Sequence, residues 1–291
     1  MKQIIKNIIK SLLKYLVFIK PKNDMSSHIY RTRLYLLGQI QKLMMQRVRK
    51  EAYKGHILEF VAPNYLSDWR AQTFSSKEPE TLEWIDKMPD DSIIWDIGAN
   101  IGIYSLYAAK VKEAKVFAFE PSVFNLELLA RNTYKNNLQD KICIVPIALS
   151  DKTNFNDMHL GITEWGGALS TFGEDFGWDG KKINENFKYK TIGVSMDDAV
   201  HHLNIPLPNF IKMDVDGLEH IILLGGDNVL RNVQSILIEV NDNFKEQADE
   251  VNKILSNAGL ELIDKKLSIN EFSEASELQS HSAFNQIWKR K

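Results

Sequence analysis

One cysteine, Cys143, stands among 291 residues, so no disulfide can form within the chain and cysteine usage gives no sign of an oxidising compartment. It sits in the apolar run Ile142-Cys143-Ile144-Val145 and is expected to be a small buried hydrophobe, not a reactive thiol. No apolar stretch approaches the roughly 20 residues that a bilayer core demands, so no spanning helix is expected. The first residues also lack the unbroken apolar centre and small-residue cleavage site of a secretory signal. Internal repeats and low-complexity tracts are absent. Histidine is sparse, and His28, His56, His159, His201, His202 and His281 show no ligand spacing. Acids are scarce at the start: residues 1–60 hold three (Asp24, Glu51, Glu59) against thirteen Lys and Arg. With a total charge of −2, a basic arm precedes an acidic body, and such asymmetry points to an anionic partner for the arm.

What is present suits a cytoplasmic globular protein: 44% hydrophobic and 25% charged residues, enough for a full core. In the first segment Lys2, Lys6, Lys10 and Lys14 stack on one side of a predicted helix, and Ile4, Ile5, Ile8, Ile9, Leu12, Leu13 and Leu16 cover the other. Two readings stay open for residues 1–20. They lie on an anionic membrane surface, which would place the protein peripherally at the inner membrane face, or they pack on the body or on a second subunit of a homo-oligomer. A second helix is predicted after Ser27, with Leu36, Leu37, Ile40, Leu43, Met44 and Val48 at helical spacing. Its basic flanks come with no recognition motif, so no nucleic acid is expected.

From Ile93 onward short apolar runs alternate with helical patterns. Strands are predicted at 93–97, 115–119, 141–145, 210–214 and 235–240, with weaker ones at 260–265 and 283–289. Helices are predicted at 103–111, from the N-cap Ser122 to about Asn136, from about Leu218, and at 245–257. Buried strands alternating with helices imply an α/β fold: a parallel, Rossmann-like sheet with helices on both faces. The expected division is a basic amphipathic helical extension over 1–55 and a Rossmann-like domain over 56–291, in which 56–92 supply a strand and a helix (Pro79 to Met88) leading into the sheet and an insertion at 150–195 is read as irregular hairpins walling a substrate. Ligands in such sheets sit beyond the carboxyl ends of the strands, which directs attention to Asp96, Glu120, Ala148, Asp214 and Glu239.

Asp96-Ile97-Gly98-Ala99-Asn100-Ile101-Gly102 follows a strand and opens a helix, the setting in which a glycine loop holds a nucleotide. Glu120 ends the next strand, where a carboxylate can accept the ribose hydroxyls of an adenosine-type cofactor. A dinucleotide would want glycine where Asn100 stands, and the carboxylate of Asp96 would repel its pyrophosphate. The same carboxylate would attract the ammonium of S-adenosylmethionine. The charges favour S-adenosylmethionine. An NAD-dependent Rossmann oxidoreductase and a non-catalytic membrane-associated binding module remain as alternatives.

Trp95 to Gly102, Phe119-Glu120-Pro121, Ala148-Leu149-Ser150-Asp151, Ile211 to Glu219 and Leu237-Ile238-Glu239 together resemble the FkbM-type methyltransferases in order and spacing, over roughly residues 75–290. The resemblance implies a class I methyltransferase fold and methyl transfer to oxygen, commonly on a hydroxyl of a sugar, glycan or glycolipid precursor. By that likeness Asp96, Gly98, Asn100 and Gly102 line the methionine end of the donor, Glu120 with Pro121 holds the ribose, and Ala148, Ser150 and Asp151 skirt the adenine. Asp216 departs from the family, which usually carries glutamate there.

Asp214, Lys212 and Glu239 are the candidates for orienting the acceptor or receiving its proton, because they sit at neighbouring strand ends. Asp214, Asp216 and Glu239 could instead offer oxygen ligands to Mg²⁺, which the sequence does not require. Trp165 and Trp178 in the insertion are candidates to stack on a sugar ring.

Overall fold

The computed structural model describes residues 28–267 and 283–291, together with Asn7, Ser11 and Lys14. Those three are helical, but the rest of the predicted first helix, including Lys2, Lys6, Lys10 and its apolar face, lies outside the described residues. The chain divides into two compact units, Met1–Val48 and Arg49–Lys291.

In the first unit α1 spans His28–Gln46. Its apolar positions Leu34, Tyr35, Leu36, Ile40, Leu43 and Met44 are exposed. No helix among the described residues is long and apolar enough to cross a membrane.

The second unit begins with a hairpin, of which the sequence reading foresees a strand in 56–92 but not its partner. Strands β1 (Val48–Tyr53) and β2 (His56–Val61) flank Lys54 and Gly55, whose φ angles are +48° and +85°. Positive φ at both turn positions is the type I′ pattern that matches strand twist, and Gly55 adopts it without a Cβ penalty. This hairpin puts the boundary between units at 48/49, ahead of the expected 55/56.

After the hairpin come α2 (Tyr65–Gln72), α3 (Pro79–Asp86), β3 (Ile93–Ile97), α4 (Ile103–Val111), β4 (Lys115–Phe119), α5 (Val123–Lys135) and β5 (Ile142–Val145). Then come β6 (Ala148–Ser150), β7 (Asn154–Leu160), β8 (Ser170–Phe172), β9 (Phe187–Ser195) and α6 (Met196–Leu203). The chain closes with β10 (Phe210–Met213), α7 (Glu219–Leu224), α8 (Asp227–Asn232), β11 (Ser235–Asn241), α9 (Lys245–Asn257), β12 (Leu260–Leu267) and β13 (Ala283–Arg290).

Seven strands form the central sheet in the order β12-β13-β11-β10-β3-β4-β5. β3, β4, β5, β10 and β11 run parallel, and β13 is antiparallel to both its neighbours, β11 and β12. The order reverses between β3 and β10, so the crevice for a ligand opens above those two strand ends. Alternation along each strand feeds two apolar layers. Trp95, Phe117, Phe119, Ile211 and Ile236 pack on one face. Ile94, Val116, Ala118, Phe210 and Leu237 pack on the other, with Leu82 and Trp84 of α3 and Leu106 of α4. Burial of side chains of this size contributes about 1.5–3 kcal/mol each.

The insertion is more regular than expected. Instead of irregular hairpins, β6 to β9 build a second sheet in the order β6-β9-β7-β8. Cys143 is exposed, contrary to expectation, because β5 is the edge strand of the main sheet and leaves that position uncovered. Ser122 does occupy the N-cap of α5, yet its side chain makes no capping bond.

Candidate active site

The turn after β3 is fixed by two backbone bonds to one oxygen: the N–H groups of Gly98 and Ala99 both donate to the Phe119 carbonyl at 3.0 Å. Gly98 has φ +82°, and a Cβ there would lie 2.0 Å from the Asp214 carbonyl oxygen. Only glycine lets the end of β10 come that close. Asn100 follows with φ +51°, a left-handed conformation that asparagine tolerates better than most residues. Its N–H donates to Glu120 Oε2 at 2.8 Å and its Nδ2 to the Gly167 carbonyl at 2.8 Å. Gly102 serves a different purpose from the one expected. It is the N-cap of α4 at φ +86°, and a Cβ would meet Leu129 Cδ1 at 2.5 Å, so it lets α4 pack on α5 and does not line the cleft.

Glu120 is buried, and its two oxygens each accept one backbone N–H, from Ser122 at 2.7 Å and from Asn100 at 2.8 Å. Burial outweighs these bonds and raises its pKa to about 7. A carboxylate oxygen has more than one acceptor site, so both can still take a hydroxyl donor. Asp96 is buried beneath the loop. Ser105 Oγ donates to its Oδ2 at 2.5 Å, while Oδ1 has no partner among the described residues. Burial raises its pKa, and the facing Lys212 opposes that shift. Asn100 Oδ1 is a second buried acceptor without a partner.

A cleft of about 590 Å³ opens here, lined by Gly98, Asn100, Glu120, Pro121 and Ala148 together with Phe172, Asp214 and Asp216. A second cleft of about 450 Å³ shares Gly98, Asn100 and Asp214 with the first and extends to Trp69, Arg70, Phe74, Lys77, Glu78, Tyr104 and Lys212. The two therefore meet at the loop and the end of β10.

Lys212 and Asp214 form an ion pair of 3.2 Å at that meeting point. Lys212 is buried, lies in register with Asp96, and stands 5.1 Å from the ring centre of Tyr104. Asp96 and Asp214 hold its pKa above the ordinary value against desolvation. Asp214 is only partly covered, its side chain 27% exposed; desolvation by itself disfavours the charge, but Lys212 and then Lys77 pull its pKa below the carboxylate norm. Asp214 is thus a charged acceptor of hydrogen bonds and a weak base.

Asp216 does a structural task. At φ +57° its Oδ2 accepts from the N–H groups of Leu169 at 2.6 Å and Ser170 at 3.3 Å. This ties the insertion to the end of β10. Burial, reinforced by Asp214, raises its pKa to about 6. The apex of the insertion is held from four sides. Asn64 Nδ2 donates to Trp165 O, Arg70 Nε to Gly166 O, and Asn100 and Asn125 side chains both donate to Gly167 O. Gly166 N–H also donates to Asn125 Oδ1 at 3.0 Å.

Several expected residues stand elsewhere. Ser150 and Asp151 bond each other and line neither cleft, since β6 has already turned into the second sheet. Glu239 lies on β11, also outside both linings. Trp165 donates from Nε1 to Glu127 and Trp178 supports Asn241 through its carbonyl; neither lines a cleft. Among the described residues no group of three His, Cys, Asp or Glu side chains is placed to hold a metal. Conversely Arg70, Lys77, Glu78 and Tyr104 were missed. The run from Glu78 to Leu82 reads as a helix start and fits the lead-in of the family, but nothing local marks Lys212, more than 130 residues later, as a neighbour in the cleft.

The strand order, the antiparallel β13 and a glycine loop above β3 with an acid ending β4 define a class I, S-adenosylmethionine-dependent methyltransferase. Residues 96–262 match the family model described as the methyltransferase FkbM domain, and the chain belongs to that family. Among curated proteins it is similar to the hexuronic acid methyltransferase AglP of Haloferax volcanii, 24% identical over 237 residues, which cover 80% of this chain and 88% of the relative. It is also 26% identical over 208 residues, 60% of this chain, to the AMB antimetabolite synthetase AmbE of Pseudomonas aeruginosa, of whose length that is 10%. Among solved structures it compares with an rRNA methylase from Streptococcus thermophilus (12% identity, TM-score 0.44, 72% of this chain and 94% of that one). It compares likewise with Pyrococcus horikoshii TYW2 in complex with MeSAdo (13%, TM-score 0.46, 83% and 69%). The oxidoreductase and binding-module alternatives are set aside by the family.

Proposed function

We propose that this chain transfers a methyl group to a hydroxyl oxygen of a sugar, glycan or glycolipid precursor. The observation that carries the reading is the junction of two clefts at Gly98, Asn100 and Asp214. One suits the donor and the other the acceptor, so the reacting atoms would meet beside Asp214. The relative named for hexuronic acid supports a sugar-type acceptor.

The residues present fit S-adenosylmethionine. Two buried acceptors without partners, Asp96 Oδ1 and Asn100 Oδ1, suit a ligand that brings an ammonium. Glu120 would accept the ribose hydroxyls, and Pro121 and Ala148 would flank the base. When bound, the donor supplies an electrophilic methyl on a sulfonium. Gly98 lets the acceptor-side wall approach the loop to van der Waals limits, which serves alignment, and orientation alone is worth roughly 7–11 kcal/mol in such reactions. Asp214 would accept a hydrogen bond from the acceptor hydroxyl and take its proton as the new C–O bond forms, a point at which even a weak base suffices. Lys212 keeps Asp214 ionised and in place. Leu169 and Ser170, pinned by Asp216, would complete the wall that excludes water.

Calorimetry with S-adenosylhomocysteine tests the donor half. Glu120→Ala removes two hydroxyl-to-carboxylate bonds and lowers affinity by about 10- to 100-fold or more, and Asp96→Asn weakens it through the ammonium. Unchanged affinity in both folded variants would refute the site.

A further inference from the structure

The second cleft has an unbalanced cation. Lys212 is matched by Asp214 at 3.2 Å and Lys77 by Glu78 at 2.7 Å. Arg70 lines the same cleft and spends only Nε, on the Gly166 carbonyl at 2.5 Å. Among the described residues its guanidinium pairs with no carboxylate. The nearest acid on its own helix, Asp68, is instead clamped by Arg49, whose Nε and Nη2 donate to both its oxygens at 2.8 and 2.7 Å. Arg70 is held close to the reaction centre all the same: it lines the cleft together with Asp214, and its charge adds to the lowering at Asp214 and opposes the upward shifts of Asp216 and Glu120. Trp69 and Phe74 beside it give the cleft an apolar wall.

A partly buried guanidinium anchored by Nε leaves its two terminal nitrogens as a planar pair of donors. That geometry matches a carboxylate bidentately. We propose that Arg70 is the specificity residue for an acidic acceptor: it binds the carboxylate of a uronic-acid-type sugar and thereby sets a hydroxyl of that ring against Asp214. Trp69 and Phe74 face the ring's apolar side. This rests on the methyltransferase reading above. It adds the acceptor's charge and the residue that reads it.

The test uses the full chain saturated with S-adenosylhomocysteine and two probes that differ by one carboxylate, p-nitrophenyl β-D-glucuronide and p-nitrophenyl β-D-glucoside. The native protein binds the glucuronide about 10- to 100-fold more tightly, the range of a charge-assisted bidentate pair. Arg70→Gln abolishes that preference, and Arg70→Lys, which keeps the charge without the fork, retains part of it. In Arg70→Gln the loss of S-adenosylhomocysteine affinity, which reflects the Gly166 tie alone, stays at least about fivefold smaller than the loss of glucuronide affinity. If the native chain binds both probes alike, or if Arg70→Gln weakens S-adenosylhomocysteine as much as the glucuronide, Arg70 does not read the acceptor and the proposal falls. If the native chain fails to bind S-adenosylhomocysteine at all, the methyltransferase site itself has failed, a separate result.

Discussion

Replacing Gly98 by alanine puts one methyl group where the structure has no room. The added Cβ would lie 2.0 Å from the Asp214 carbonyl oxygen and 3.2 Å from Val215 Cγ1, at a φ of +82°. The left-handed conformation costs an L-residue about 1–2 kcal/mol. Forcing backbone apart in a packed region costs about 1–3 kcal/mol more. The stiffer unfolded chain returns about 0.4–1 kcal/mol. The expected net destabilisation is about 1–4.6 kcal/mol, which for a domain of this size lowers the melting temperature by about 2–18 °C. Because the clash is with the end of β10, the relief of strain moves Asp214 away from the loop, and affinity for S-adenosylhomocysteine falls at least about tenfold, one 1.4 kcal/mol step. Urea unfolding and calorimetry measure the two effects. Gly177→Ala is the control, because a Cβ there meets nothing within 4 Å; it stays within about 0.5 kcal/mol of the parent. A Gly98→Ala protein that melts with the parent and binds S-adenosylhomocysteine equally well would show that the strand ends are not packed as described.

Stability depends on pH through three desolvated carboxyls, Glu120 and Glu219 being buried and Asp216 partly covered. Glu120, Glu219 and Asp216 have pKa values raised by burial to about 7, 8 and 6, so between about pH 5 and 8 the native chain holds more protons than the unfolded one. Stability is full below their ordinary range and is lost as pH rises through the raised values; melting of the ligand-free protein at pH 8 should therefore fall below that at pH 5.5, and Glu219→Gln should flatten the slope. Lys212→Met strips the buried partner from Asp96 and Asp214 and costs about 3–5 kcal/mol in urea unfolding; pairing it with Asp214→Asn restores part of that, and no restoration would mean the charges are not coupled. For the arm, membrane attachment is proposed from its lysine stripe alone, and deletion of residues 1–20 should abolish co-sedimentation with vesicles containing anionic phospholipid; equal sedimentation with and without them removes the idea.

The strand-loop-helix unit from Ile93 to Val111 was legible because every signal in it is local: an apolar run, a glycine turn and a helical repeat lie within nineteen residues. Glu120 was legible for the same reason, as the acid that ends the next strand. These determine the fold class and the loop proposed to hold the donor. Trp165 and Trp178 misled, because an aromatic residue in a long insertion looks the same whether it faces a ligand or braces a loop. Glu239 misled because ending a strand near Asp214 in sequence order does not place a side chain in the cleft. The strand β1 and its pairing with β2 went unread because β1 is half-exposed and the turn carries only one glycine.

The sequence by itself thus specified the sheet, its glycine loop and the acids proposed to ring the donor. Only the tertiary structure brought together the second cleft, proposed for the acceptor. Arg70, Lys77 and Tyr104 reach Lys212 and Asp214 across more than a hundred residues of chain, through the packing of α2, α3 and α4 on one face of the sheet. An unpaired arginine can be recognised only when every acid that could have paired with it has been located, and that is a property of three-dimensional packing, not of spacing along the chain.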